Sequence, residues 1–293
     1  MSRVNKAIEL LDQRQPIYFE FVEGANAGEY EGGRAMARTW ADYIAYDIEH
    51  SPLDVRALME FMRGLADGGP TKSGHRTPAV VVTLPLDGTD EQAVRANSWM
   101  IKQVLATGVH GLLLCHAETP EAVRAFVEAA RYSFNTAVGA DLGPGRRGHG
   151  GQVRAAEVWG IPVEEYFVRA DPWPLNPRGE LLLGIKVENT RALKNVERTT
   201  RVPGLAFAEW GPGDMGMSMG YPDQHDEPYP PEMQAARTRV MAACKAAGLA
   251  FLEQVTPENV TSRLDQGVMI ACGPNAREAA AIGRKHTGRA LPF

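Results

Sequence analysis

Two short apolar runs end in carboxylates. Glu188 closes Leu181-Leu-Leu-Gly-Ile-Lys-Val-Glu188, and Asp214 closes the turn Gly211-Pro-Gly-Asp214 that follows Leu205-Ala-Phe-Ala-Glu-Trp210. Both runs read as buried strands. Two carboxylates at the mouths of neighbouring strands suit a hard divalent cation. Magnesium takes one or two carboxylates and completes its shell with water and substrate. Residues two apart in a strand share a face, so Lys186 points the same way as Glu188. Two acids solvated in loops is the competing reading of the same pattern.

A second constellation is Asp47-Ile-Glu-His50. An Asp that accepts a hydrogen bond from an imidazole fixes its tautomer and raises its basicity, as a general base requires. The pattern equally suits a His that caps the next helix while Asp47 pairs elsewhere. Arg146, Arg147 and His149 stand among glycines, where backbone amides and a guanidinium can hold an anionic group, or where a loop is simply solvated. His116 is either a ligand or a loop residue, and Trp210 lines a pocket or lies in the core. Cys115, Cys244 and Cys272 are odd in number with no CxxC spacing. They read as reduced packing residues in a cytoplasmic protein, not a disulfide frame or a zinc site.

These side chains need a frame, and the chain alternates strand and helix to make one. A helical period over 4–13 stops before Pro16, and 17–23 and 42–49 are strand-like. Leu53 to Leu65 is amphipathic, with Pro52 near its first turn. Strand 78–83, helix 90–107, strand 109–115 and a helix capped by Thr119 follow. After residue 178 the rhythm resumes with strands at 181–188, 205–210, 249–253 and 267–271. Helices fall between and after them at 190–200, 231–246, 257–265 and 275–285. Such alternation implies parallel strands with right-handed crossovers. Eight or nine strand–helix units favour a (β/α)8 TIM barrel, whose catalytic groups sit at the carboxyl ends of the strands. One barrel domain is expected over residues 1–293, interrupted at about 133–178 by a Gly/Pro-rich excursion of the kind that serves function or assembly.

Composition narrows the function. The 293 residues are 44% hydrophobic and 23% charged, ordinary for a globular protein. A net charge of −5 without a Lys/Arg-rich block argues against bulk nucleic-acid binding. No GxGxxG or P-loop pattern follows a strand, which weakens dinucleotide and nucleotide readings. The first residues lack the apolar core of a signal peptide, and no apolar run reaches about 18 residues. A cytoplasmic protein with no nucleic-acid or membrane partner is expected.

In this order the residues resemble the metal-dependent pyruvate aldolases of the 4-hydroxy-2-oxoheptanedioate aldolase and citrate lyase β-chain superfamily (HpcH/HpaI). The resemblance covers most of the chain. Asp47-Ile-Glu-His-Ser-Pro52 resembles the family's acidic-His strand end, and Arg131-Tyr132 with Gly145-Arg-Arg-Gly148 its Arg-Tyr and Gly-x-Arg-Gly segment. Val187-Glu-Asn-Thr-Arg-Ala192 resembles the first metal motif. Gly211-Pro-Gly-Asp-Met215, followed by Met219-Gly-Tyr221, resembles the second.

The resemblance implies a phosphoenolpyruvate/pyruvate-type barrel that exchanges its C-terminal helix between subunits and assembles as a hexamer, a trimer of dimers. It implies a divalent metal (Mg, Mn or Co) on Glu188 and Asp214 that holds a 2-oxo acid, with His50 and Asp47 as the base pair. Arg147, Thr83, Trp210 and Gly211, Pro212 and Gly213 would meet the substrate. The implied reaction cleaves a 4-hydroxy-2-oxo acid, or a related carboxylate, to pyruvate and an aldehyde. Three positions depart from the family: Thr83 replaces an Arg, Ala106 an Asp, and Lys186 a Gln. Lys186 is therefore expected either to replace the missing Arg in part, as a counter-charge to the enolate, or to pair with a carboxylate and take no part in the chemistry. Two other uses of such a site are decarboxylation, hydration or acyl-CoA cleavage, and metal or ligand binding without catalysis.

Overall fold

The computed structural model describes residues 2–135 and 142–289. Nine strands form in chain order: β1 (Ile17–Glu23), β2 (Tyr43–Asp47), β3 (Ala79–Asp87), β4 (Gly111–Cys115), β5 (Pro172–Trp173), β6 (Leu181–Val187), β7 (Phe207–Trp210), β8 (Ala250–Gln254) and β9 (Val268–Cys272). The helices up to β6 are α1 (Lys6–Asp12), α2 (Glu29–Met36), α3 (Val55–Gly68), α4 (Glu91–Ala96), α5 (Ser98–Ala106), α6 (Pro120–Ala130), α7 (Gln152–Trp159) and α8 (Val163–Arg169). After β6 come α9 (Thr190–Thr199), α10 (Pro212–Met219), α11 (Pro231–Ala247), α12 (Val260–Gln266) and α13 (Ala276–His286).

All pairings are parallel, and β4 pairs with β6 to close a ring of eight, β1-β2-β3-β4-β6-β7-β8-β9. The two-residue β5 adds to β6 outside that ring. This is the expected (β/α)8 barrel. Its strands alternate: one set of side chains packs outward against the helices, the other fills the interior. Outward residues such as Ile44, Val82, Leu112, Ile185 and Trp210 belong to the larger apolar cluster. Inward residues such as Tyr43, Val81, Leu113 and Phe207 form a second cluster with Ala7, Ile8, Leu10 and Leu11 of α1. Gly184 has no side chain because the Phe207 ring occupies the place its Cβ would take.

α1 plugs one end of the barrel. Asn5 caps it, accepting from the Ala7 and Ile8 amides. The Asn5 side-chain amide also donates to the carbonyls of His110 and Glu180, each 3.1 Å away and just ahead of β4 and β6. Asp42, ahead of β2, binds Lys6 of α1 and Arg284 of α13 and accepts from the Tyr18 amide, which ties both helices to that end. The amino ends of the strands are thus closed, and the carboxyl ends remain for a site.

The elements follow local chemistry. Asp54 accepts from the Ala57 amide, so α3 starts two residues later than its periodicity suggests. The helix expected over 90–107 is broken at Asn97, whose side chain bonds back to the Ala93 carbonyl. The described part of the 133–178 excursion forms α7, α8 and β5, and its residues 136–141 lie outside the described residues. α7 packs against α3 and α5, where Trp159 donates to the Gly108 carbonyl. α13 packs against β1, β9 and α12 of its own chain. No described helix is long and apolar enough to cross a membrane.

Candidate active site

A cavity of about 550 Å³ opens at the carboxyl ends of the strands, a size suited to a small molecule. Asp47, His50, Thr83, Lys186, Glu188, Gly211, Pro212, Gly213 and Asp214 all line it. Their chain positions are far apart, and strand alternation turns them inward together.

Glu188 stands one residue past β6 and is fully buried. Its Oε1 accepts from the His116 amide at 2.8 Å. Its Oε2 has Lys186 Nζ at 3.0 Å but makes no hydrogen bond. Burial raises the Glu188 carboxyl, against the pull of Lys186 and His116. Gly211 makes room for it, since a Cβ there would lie 2.9 Å from Glu188 Oε2.

Asp214 is held in the first turn of α10, which Pro212 begins. The first amides of a helix have no partner within it, and Pro212 lacks one altogether. The Gly213 and Asp214 amides therefore point out of the helix start, where an anion is stabilised.

His50 and Asp47 form the expected pair, with Nδ1 2.8 Å from Oδ2. Asp47 is buried, whereas the His50 side chain is largely exposed at the cavity mouth. Burial lowers the imidazole pKa, but the Asp47 hydrogen bond and the Glu49 charge outweigh it and leave it raised.

Lys186 reaches Glu49 at 2.7 Å as well as Glu188. Burial would lower its pKa, yet the acids around it hold it above the usual lysine range. Two further inward acids stand here: Glu49, a strand-end candidate in the sequence without an assigned role, and Glu209, which the sequence reading missed. Glu49 is drawn below the usual carboxylate range by Lys186 despite its burial. Glu209 pairs in register with Lys186 across β6 and β7, and burial pushes it up to about 7. A charged residue inside the apolar run Leu205–Trp210 was the available signal.

Atoms of Glu49, His116, Glu188 and Asp214 lie within 4.8 Å of one another. The donor set fits a hard divalent cation. Two carboxylates approach from neighbouring strand ends, one offers a buried oxygen without a hydrogen bond, and the rest of the shell faces an open cavity. His116 takes a positive φ of 43° to put its amide on Glu188, a conformation uncommon outside glycine.

Two sequence expectations are corrected. Trp210 does not line the cavity. It is the outward neighbour of the inward Glu209 and packs on Tyr229, 6.0 Å between ring centroids. Arg147 does not reach the cavity either. Its guanidinium is buried between Tyr132 and Tyr166 and donates to the Tyr166 hydroxyl at 2.7 Å, outside the barrel wall. Ala106, where the resemblance would have an Asp, also lies away from the cavity, against Gly151.

A family model described as HpcH/HpaI aldolase/citrate lyase matches residues 21–271. A 2-keto-3-deoxy-L-rhamnonate aldolase of Klebsiella pneumoniae is 31% identical over 74% of this chain and 69% of its own length. The crystal structure of an HpcH/HpaI aldolase/citrate lyase family protein from Burkholderia cenocepacia superposes with a TM-score of 0.70. It is 23% identical and covers 96% of this chain and 97% of that one. A citrate lyase beta subunit from M. tuberculosis, complexed with oxaloacetate and magnesium, has a TM-score of 0.54. It is 14% identical and covers 93% of this chain and 96% of its own.

Proposed function

We propose, from the premise that the chain belongs to the HpcH/HpaI aldolase/citrate lyase family, that this lyase cleaves a 4-hydroxy-2-oxo acid to pyruvate, or a related 2-oxo acid, and an aldehyde. The observation that carries the reading is the meeting of Glu188 and Asp214 with the His50–Asp47 pair in one cavity.

Glu188 and Asp214 would hold a divalent cation, Mg, Mn or Co. Such an ion polarises the substrate ketone and offsets the charge left on the enolate. The amides of Gly213 and Asp214 bind the substrate carboxylate at the start of α10. Asp47 accepts from His50 Nδ1 and so leaves Nε2 free to take the proton of the C4 hydroxyl. As that proton leaves, the C3–C4 bond breaks. C4 becomes the aldehyde carbonyl, and the bonding pair becomes the pyruvate enolate, which then takes a proton on C3. Lys186 stands beside the site as a fixed positive charge, and Thr83 lines it from β3.

The reading includes a single barrel domain working as a cytoplasmic homo-oligomer. A hexamer, a trimer of dimers, is the assembly that family membership favours, without the expected exchange of the C-terminal helix, because α13 packs on β1, β9 and α12 of its own chain. Pyruvate release from a panel of 4-hydroxy-2-oxo acids, with and without EDTA, tests the function. Metal-dependent release is expected. Binding without turnover, or turnover without an aldehyde product, overturns it.

A further inference from the structure

Opposite the carboxylates the cavity changes character. In the closed ring β1 faces β6 and β2 faces β7. On the lyase reading Glu188 at β6 and Asp214 after β7 would anchor the acid end of the substrate, and His50 after β2 stands across from Asp214. Beyond His50 the wall belongs to β1, whose cavity-lining side chains are Phe19 and Phe21. Phe19 packs on Tyr43 with ring centroids 5.0 Å apart. Phe21 is 51% exposed, an aromatic ring standing uncovered at the mouth.

The charges facing the cavity point the same way. No Arg is among the described lining residues, and the one Lys, Lys186, already serves Glu49 and Glu188. Asp47, Glu49, Glu209 and Asp226 face the same space. The two lining histidines, His50 and His225, are paired with Asp47 and Asp226, so a second anionic group on a substrate would meet acids and no unpaired Arg or Lys among the described lining residues.

Resting on the lyase reading above, we infer that the aldehyde half of the substrate is apolar, and aromatic in preference, with Phe21 and Phe19 as the surface that receives it. When the C3–C4 bond breaks, the group on C4 is the part that lies past His50, on the β1 side. An aryl or alkyl group there leaves water for the Phe21 face and can stack on it. A carboxylate or a row of hydroxyls would lose water without finding partners.

The magnesium-loaded enzyme is assayed in the condensation direction, with pyruvate and five aldehydes: benzaldehyde, phenylacetaldehyde, hexanal, succinic semialdehyde and glyceraldehyde. The aromatic pair should exceed succinic semialdehyde and glyceraldehyde in kcat/KM by about tenfold or more, the scale of apolar pocket discrimination. Phe21→Ala should lower that ratio, chiefly through the aldehyde KM, and Phe21→Arg should move the preference to succinic semialdehyde. Preference of the wild type for an anionic or hydroxylated aldehyde, or an unchanged ratio in Phe21→Ala, overturns the inference. Exchange of the pyruvate methyl protons in D2O separates the two levels. Exchange without the apolar preference sinks this inference alone. No exchange and no condensation with any aldehyde sinks the lyase reading and this inference with it.

Discussion

Lys186 Nζ lies 3.0 Å from Glu188 Oε2, so a divalent cation held by Glu188 would share that carboxylate with an ammonium. At such a range two like charges repel even with substantial screening. Lys186→Met removes the repulsion and leaves Glu49 uncompensated. We expect Mn2+ to bind about tenfold more tightly, equivalent to roughly 1.4 kcal/mol, in an EPR titration, while kcat falls. Unchanged affinity would mean that the Lys186 charge is not felt at the metal. Full turnover would exclude Lys186 as counter-charge to the enolate.

Gly211 is a matter of space. Its φ of −97° suits any residue, but a Cβ would sit 2.7 Å from Glu188 Cβ. Gly211→Ala must therefore push Glu188 off its position. Mn2+ affinity should fall about tenfold or more, and overpacking should cost about 1–3 kcal/mol in urea melts. A Cβ added at Gly213 would meet no atom within 4 Å, so Gly213→Ala should leave stability nearly unchanged. Equal melts for the two variants would refute the steric account.

The His50–Asp47 pair predicts a pH dependence with a definite sign. Burial lowers His50, but Asp47 raises it further, so the folded pKa lies above the ordinary histidine value of 6.5. Any stability from the pair is complete below that value and fades as pH rises through the folded pKa. On the proposed role of His50 as base, catalysis runs the other way, because the imidazole must be neutral to take a proton, so kcat/KM should fall on the acid side. Asp47→Asn should move that acid limb to lower pH and cut the rate by about 10²–10⁴, the usual worth of a general base. An acid limb that stays in place would detach it from His50.

The barrel was legible because its signals are local. Apolar runs alternate with amphipathic stretches, and a cap such as Thr119 marks a helix start. The meeting of Glu188 with Asp214 and of His50 with Asp47 in one cavity was legible because each lies at a strand end. What failed was parity and long-range packing. Trp210 and Glu209 are adjacent, and a strand can aim only one of them inward; the wide ring drew attention from the acid. The Glu49–Lys186 contact joins residues 137 positions apart, and no local pattern announces it.

Arg147 carries the remaining test. A guanidinium among glycines looked suited to an anion, yet it lies 4.5 Å from the Tyr132 ring centroid and 5.5 Å from that of Tyr166. Its backbone amide bonds the Arg131 carbonyl, which stitches the segment after α6 to the barrel's outer layer. Desolvated cation–π contacts are worth about 2 kcal/mol, and the hydrogen bond to Tyr166 adds about 1 kcal/mol. Methionine fills similar space without charge, so Arg147→Met should lose roughly 1–3 kcal/mol of stability, at the usual scale for a buried polar contact. The KM for the 2-oxo acid should not move, because the side chain is walled off from the cavity. A raised KM with an unchanged urea midpoint would return Arg147 to the substrate and would require the segment after α6 to pack differently in the assembled enzyme.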